Sequence, residues 1–265
     1  MRRIEATFQA LRARGERALV TFFMAGDPSL DVTERLVVEA AARGADVIEL
    51  GVPFSDPIGD GPINQRAGVR ALEAGTTFVR VLETVSRLRA KVETPLVLMG
   101  YYNPVYAFGL EAFARTAVDA GVDGVIIVDL PPEEATELAG EADVAGLDVI
   151  HLIAPTSTAA RLRLIARKST GFIYLVSRLG VTGATHALPG ELPEQLRTLR
   201  MVTTKPICVG FGISRPEQVA EVGALADGAV VGSAIVTMIE RGGTSSRLVG
   251  DVGNFIAELK APLRK

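Results

Sequence analysis

The run Ala18-Leu19-Val20-Thr21-Phe22-Phe23-Met24, followed by Ala25-Gly26-Asp27-Pro28, decides the fold in two steps. The first seven residues are almost continuously apolar and do not alternate with polar ones. That is the pattern of a parallel strand covered on both faces. The turn that follows lacks the G-x-G-x-x-G spacing that an open dinucleotide-binding sheet places after its first strand.

Working outward, runs of the same kind recur at 46–52, 96–101, 124–129, 148–153, 172–177, 206–211 and 228–233, which makes eight with the first. Segments of helical period lie between them. In Val32 to Arg43, Leu36, Val37, Ala40 and Ala41 oppose Glu34 and Arg35, and Phe78 to Arg89 repeats the pattern with Val79, Val81, Leu82 and Val85. Glu191 to Arg200, Pro216 to Leu225 and Ser245 to Leu259 are similar. Eight strand–helix units in 265 residues predict an α/β chain folded as a single (β/α)8 TIM barrel, one domain over 1–265. Met1 to Gly15 places Ile4, Phe8 and Leu11 at helical spacing among five charged residues, which predicts an extra N-terminal amphipathic helix rather than a targeting segment.

Composition narrows the function classes. A net charge of −3 gives no reason to expect nucleic acid or an anionic membrane as partner. The longest apolar stretch, Gly228 to Ile239, is too short to span a bilayer. One cysteine, Cys208, and two histidines argue against a disulfide or a zinc site, and the single thiol in an apolar run fits a cytoplasmic chain.

Barrel chemistry is carried by the loops after the C-terminal ends of the strands. On the second strand, Glu49 lies between Ile48 and Leu50. A carboxyl there either faces the barrel mouth, where burial raises its pKa, or is a structural acid bonded to a neighbour. The next segment, Val52 to Pro62, is rich in Pro, Gly and Asp and long for a βα loop. Asp56 and Asp60 are its candidate acids, with turn or helix-capping roles as the alternative. Glycine turns end the seventh strand (Gly210-Phe211-Gly212) and the eighth (Gly232-Ser233), where barrels often bind phosphate through backbone amides at a helix start. A third glycine-rich loop, 177–184, follows the sixth strand. Each glycine alone could be only a turn former.

Glu49-Leu50-Gly51-Val52-Pro53-Phe54-Ser55-Asp56-Pro57 with Asp60-Gly61-Pro62 resembles the signature of tryptophan synthase α subunits. Ala25-Gly26-Asp27-Pro28, Tyr101-Tyr102-Asn103-Pro104, Asp129-Leu130-Pro131, Ser177-Arg178 with Gly180-Val181-Thr182-Gly183, and Gly210-Phe211-Gly212-Ile213 are similar to that family in order and spacing. The resemblance implies a lyase that cleaves indole-3-glycerol phosphate by a retro-aldol step, with no metal and no organic cofactor in this chain. It implies Glu49 as general acid–base and Asp60 as the acid at the indole N–H. Tyr174 would contact the glycerol chain, Thr182 would meet Asp60 on lid closure, and Phe22 and Phe211, with Ile126, would line the ring pocket. Gly183, Gly212, Gly232 and Ser233 would hold the phosphate. It further implies a β subunit carrying pyridoxal phosphate, in an αββα assembly that passes indole between sites, with Phe54, Pro57, Tyr106 and Phe108 as candidate contacts. Those side chains could instead pack within their own barrel. Asn64 and Gly59 depart from the apolar residue and the alanine usual in the family. Two rivals remain open from the residues alone: a barrel acting on another phosphate ester, and a barrel that mainly activates its partner.

Overall fold

The computed structural model describes residues 1–176, 190–210 and 212–264. Its strands are β1 Ala18–Met24, β2 Val47–Gly51, β3 Leu96–Gly100, β4 Gly124–Ile127, β5 Asp148–Val149, β6 Leu152–Ile153, β7 Ile173–Val176, β8 Ile207–Gly210 and β9 Gly228–Val231. The helices are α1 Arg3–Arg14, α2 Leu30–Arg43, α3 Pro62–Glu73, α4 Phe78–Arg89, α5 Tyr102–Phe108, α6 Leu110–Ala120, α7 Thr136–Ala145, α8 Ala159–Lys168, α9 Leu192–Arg200, α10 Pro216–Leu225, α11 Ser233–Gly242 and α12 Leu248–Lys260.

All strand pairings are parallel, in the order β5-β4-β3-β2-β1-β9-β8-β7-β6. The two ends of that order are the two halves of one run, 148–153. The Ile150 amide donates to the Val125 carbonyl at 2.9 Å, while the His151 carbonyl accepts from the Tyr174 amide at 3.4 Å. The fifth strand therefore leaves β4 and joins β7 halfway along, which closes the sheet into the expected barrel. It is read as one strand in the sequence and appears as two because its pairing changes sides there.

Strand parity divides the apolar residues. Val20, Val47, Val97, Ile126, Ile150 and Cys208 belong to one buried cluster inside the barrel. Their sequence neighbours, among them Leu19, Ile48, Leu96 and Val125, join the larger cluster with the surrounding helices. Side chains of period two account for both. Helix α1 closes the N-terminal end of the barrel: Ile4, Phe8 and Leu11 join the inner cluster, and the Phe8 and Phe172 rings are 5.8 Å apart.

The same end is fixed by a repeated device. Asp46, Asp123 and Asp227 each stand beside a strand start and accept the amide of the adjacent strand, from Leu19 at 2.7 Å, Leu96 at 2.8 Å and Ile207 at 2.8 Å. Buried amides without a ladder partner need such acceptors. With that end sealed, the chemistry is left to the opposite, C-terminal face.

Candidate active site

Glu49 faces the barrel interior, as its parity with Val47 and Gly51 requires, and it pairs in register with Phe22 on β1 and Val97 on β3. It is 1% exposed, and neither carboxyl oxygen has a hydrogen-bond partner among the described residues. Burial without compensation penalises the charged form and pushes the pKa up to about 8. Of the two readings open for Glu49, the geometry excludes an acid bonded to a neighbour among the described residues. At neutral pH this carboxyl holds a proton that it can give away.

Tyr174 on β7 lies in the same interior layer, where burial raises the pKa of its phenol and the charge of Glu49 adds to the rise. Its ring passes over Gly210, where a Cβ would lie 2.4 Å from the hydroxyl oxygen. Phe22 lies across the mouth between two strand ends. A Cβ on Gly51 would meet Phe22 Cζ at 2.6 Å, and one on Gly232 would meet Phe22 Cβ at 3.3 Å. At Gly51 a side chain would collide with the ring, whereas at Gly232 a Cβ would only press on Phe22, which would have to give by a few tenths of an ångström. Ile126 is buried in the inner cluster below.

Asp60 is half-buried in the loop between β2 and α3. The Tyr101 hydroxyl donates to its Oδ2 at 3.0 Å and accepts the Gly59 amide at 3.0 Å. Burial raises the Asp60 pKa, and the contacts with Tyr101 and Asn64 oppose the rise. The two acids thus occupy different environments: Glu49 is buried with no partner among the described residues, whereas Asp60 has donors that favour its ionised form. Asn64 Oδ1 is buried with no partner among the described residues. Asp56 is exposed and accepts from the Ser55 hydroxyl at 2.5 Å.

Gly212 follows β8 in the left-handed region at φ 86°, a conformation that favours glycine. Gly232 caps α11, and Ser233 is its first residue. The first-turn amides of such a helix have no intrahelical acceptor and point outward, which favours an anion. Thr182, Gly183 and Phe211, with the rest of 177–189, lie outside the described residues.

Of the four candidate apolar contacts, Phe54 packs on Tyr101 at 5.3 Å and Phe108 on Phe78 at 5.5 Å, each within its own barrel. Tyr106 is 63% exposed, and so is Ile58, at 86%, which sequence reading passed over because it lacks any pattern. The Tyr101 clamp on Asp60 was likewise missed, since the two residues are 41 positions apart. Among the described residues, no group of three or more His, Cys, Asp or Glu side chains could hold a metal ion, and no helix is long and apolar enough to cross a membrane.

Comparison with known proteins gives a consistent result. The family described as "Tryptophan synthase alpha chain" matches residues 8–261. The tryptophan synthase alpha chain of Geobacter sp. (strain M21) is 51% identical over 265 residues, covering 100% of this chain and 99% of that one. The crystal structure of tryptophan synthase subunit alpha from Legionella pneumophila superposes with a TM-score of 0.91 at 37% identity, over 99% of this chain and 98% of the other. A chain of tryptophan synthase from M. tuberculosis superposes with a TM-score of 0.90 at 32% identity, over 100% and 99%.

Proposed function

The chain belongs to the tryptophan synthase alpha chain family, whose reaction is the lyase cleavage of indole-3-glycerol phosphate, and we propose that Glu49 and Asp60 are the paired acids of that step. The observation that carries the assignment is the Glu49 carboxyl, buried inside the barrel with no partner among the described residues and its pKa pushed up to about 8.

An indole carbanion is a poor leaving group, so C3 must be protonated before its bond to the glycerol chain can break. Glu49, protonated at neutrality, delivers that proton to C3. Positive charge then develops on the ring nitrogen, and ionised Asp60 accepts the N–H and stabilises it. The hydroxyl on the carbon attached to C3 loses its proton to the Glu49 carboxylate. That carbon becomes the aldehyde of glyceraldehyde 3-phosphate. The electrons of the broken C–C bond return to the ring, which leaves as indole. Two carboxyls with separated pKa values are the general solution when one group must donate a proton while the other stays charged.

Phe22 and Phe211 line the ring pocket, and Tyr174 contacts the glycerol chain. Gly183, Gly212, Gly232 and Ser233 take the phosphate, and Thr182 meets Asp60 when the loops close. Support for the phosphate seat comes from the open helix start at Ser233 beside Gly232. The chemistry runs on side chains of this chain, and pyridoxal phosphate belongs to a partner β subunit. That subunit receives the indole in an αββα assembly, facing exposed Ile58 on the loop before α3 and exposed Tyr106 on α5. We read 1–265 as one domain of a cytoplasmic enzyme.

The deciding experiment measures indole released from indole-3-glycerol phosphate by the purified chain, with and without a β subunit. Glu49→Gln should abolish release while glycerol phosphate still binds. Retained turnover would remove Glu49 from the acid–base role.

A further inference from the structure

Helix α3 starts two residues after Asp60, and α11 starts at Ser233. Further along these helices, four charged side chains close into one network. Arg70 of α3 forks Asp27, on the turn after β1, with contacts of 2.8 Å to Oδ1 and 2.7 Å to Oδ2. Its remaining nitrogen donates to Glu240 of α11 at 2.8 Å. Arg66, one turn earlier on α3, forks the same Glu240 at 2.7 and 2.9 Å. Asp27 is 1% exposed, whereas Arg66 and Glu240 are open to solvent on one side. Below the network, Ala67 and Ala71 of α3 and Val236 of α11 pack on Phe22 and Met24.

We propose that Arg70 is a positioning residue which, through Asp27, Glu240 and Arg66, fixes the span between the Asp60 loop and the phosphate seat at the start of α11. The inference rests on the site proposed above and adds to it a determinant of substrate length.

The physical case has three parts. Small apolar contacts such as Ala67 and Ala71 against Val236 hold two helices together but resist sliding weakly, because they lack direction. A guanidinium forking a carboxylate fixes distance and angle together. Here one guanidinium spans the first, second and eighth strand–helix units of the barrel, the units that carry Phe22, Asp60 and Ser233. A substrate that joins a ring to a phosphate gains affinity from both ends only when the two seats lie at the right separation. Each fragment alone ignores that separation. The solvent-facing half of the network contributes little to stability, as exposed ion pairs do, so its effect is expected in geometry.

The test uses the full chain and compares Arg70→Ala, Arg70→Lys, Arg66→Ala and Glu240→Gln. Binding of indole and of glycerol 3-phosphate is measured separately, alongside kcat and KM for indole-3-glycerol phosphate and thermal stability. For Arg70→Ala, kcat/KM should fall about 100-fold, the scale of an ångström-sized misplacement. Each fragment should still bind within about twofold of the unaltered chain, since neither spans the gap. Arg70→Lys should recover only part of the loss, because lysine cannot fork. The solvent-facing Glu240→Gln and Arg66→Ala keep the chain folded if Arg70→Ala does not, and should show the same split at smaller size. Unchanged kcat/KM per folded molecule, or fragment affinities that fall in parallel with it, would overturn the proposal. If the unaltered chain bound both fragments yet released no indole, the functional reading would fall and this one with it.

Discussion

Tyr174 on β7 occupies the space into which a side chain on Gly210 of β8 would grow: a Cβ there would lie 2.4 Å from the tyrosine Oη, 2.7 Å from Cε1 and 2.8 Å from Cζ. The Gly210 backbone itself does not demand glycine, since its φ lies outside the left-handed range. The demand comes from the ring. Gly210→Ala should therefore displace Tyr174 from the barrel interior, cost about 1–3 kcal/mol of stability as overpacking does, and lower turnover. Tyr174→Phe should not relieve it, because two of the three clashing atoms belong to the ring. Tyr174→Leu lacks all three and should recover stability in the Gly210→Ala background. Melting curves of the two single variants and the double variant decide this: effects that simply add would disprove the coupling.

The buried Glu49 carboxyl should make folding depend on pH. Its pKa rises from an ordinary 4.5 to about 8 on folding. Between those values the folded chain keeps a proton that the unfolded chain releases. Stability from this group is therefore full at acid pH, falls as pH climbs through the window, and levels off above it. The swing amounts to a few kcal/mol. Glu49→Gln should flatten this slope and melt higher than the parent at about pH 9, by about 5 °C or more for a chain of this size. If both proteins lose stability equally between acid and alkaline pH, Glu49 is not dry in solution.

Tyr101→Phe should act on catalysis through Asp60. The phenol donates to Asp60 Oδ2 and accepts the Gly59 amide, both at 3.0 Å. Removing it takes away a donor that favours ionised Asp60, so the Asp60 pKa should rise. The proposed role of Asp60 needs its charged form, so the acid limb of the kcat/KM profile should move to higher pH. Loss of one such contact corresponds to about a tenfold fall in kcat/KM near the acid limb. A profile that drops in height without moving along the pH axis would mean that Tyr101 supports the loop but not the charge.

The barrel was legible because parallel strands buried on both faces leave runs such as Ala18–Met24 with no polar interruption, and both ends of β1 fall where the run predicts. Phe78–Arg89 and Pro216–Leu225 also match their helices to the residue, since Thr77 accepts the Arg80 amide and Pro216 stands in the first turn. Glu49 was legible as a charge in an apolar run, although only the fold resolves which way it points. Helices α3 and α5 carry no readable helical signal in the sequence, because Pro62, Gly68 and Pro104 obscure their period. The clamp on Asp60 and the Arg70 network could not be read at all. Arg70 and Glu240 are 170 positions apart, and no local pattern distinguishes an arginine that forks a buried acid from one facing solvent.

Ser233→Asp separates the anion site from the stability of its helix. Ser233 opens α11 behind Gly232, and neither caps the helix with a side chain. A carboxylate near a helix start complements the unpaired amides and the dipole, so the substitution should leave stability unchanged or raise it by about 0.3–1 kcal/mol. The same carboxylate would occupy the space and the field of the proposed phosphate seat. Coulomb repulsion at about 4 Å exceeds 1 kcal/mol at any dielectric below that of water, so glycerol 3-phosphate should bind at least about fivefold more weakly. Indole binding at the far end should not change. Titration of both fragments against Ser233→Asp, with a melting curve, reads all three quantities. Phosphate affinity equal to that of the parent, in a chain that melts no lower, would place the anion elsewhere than the α11 start.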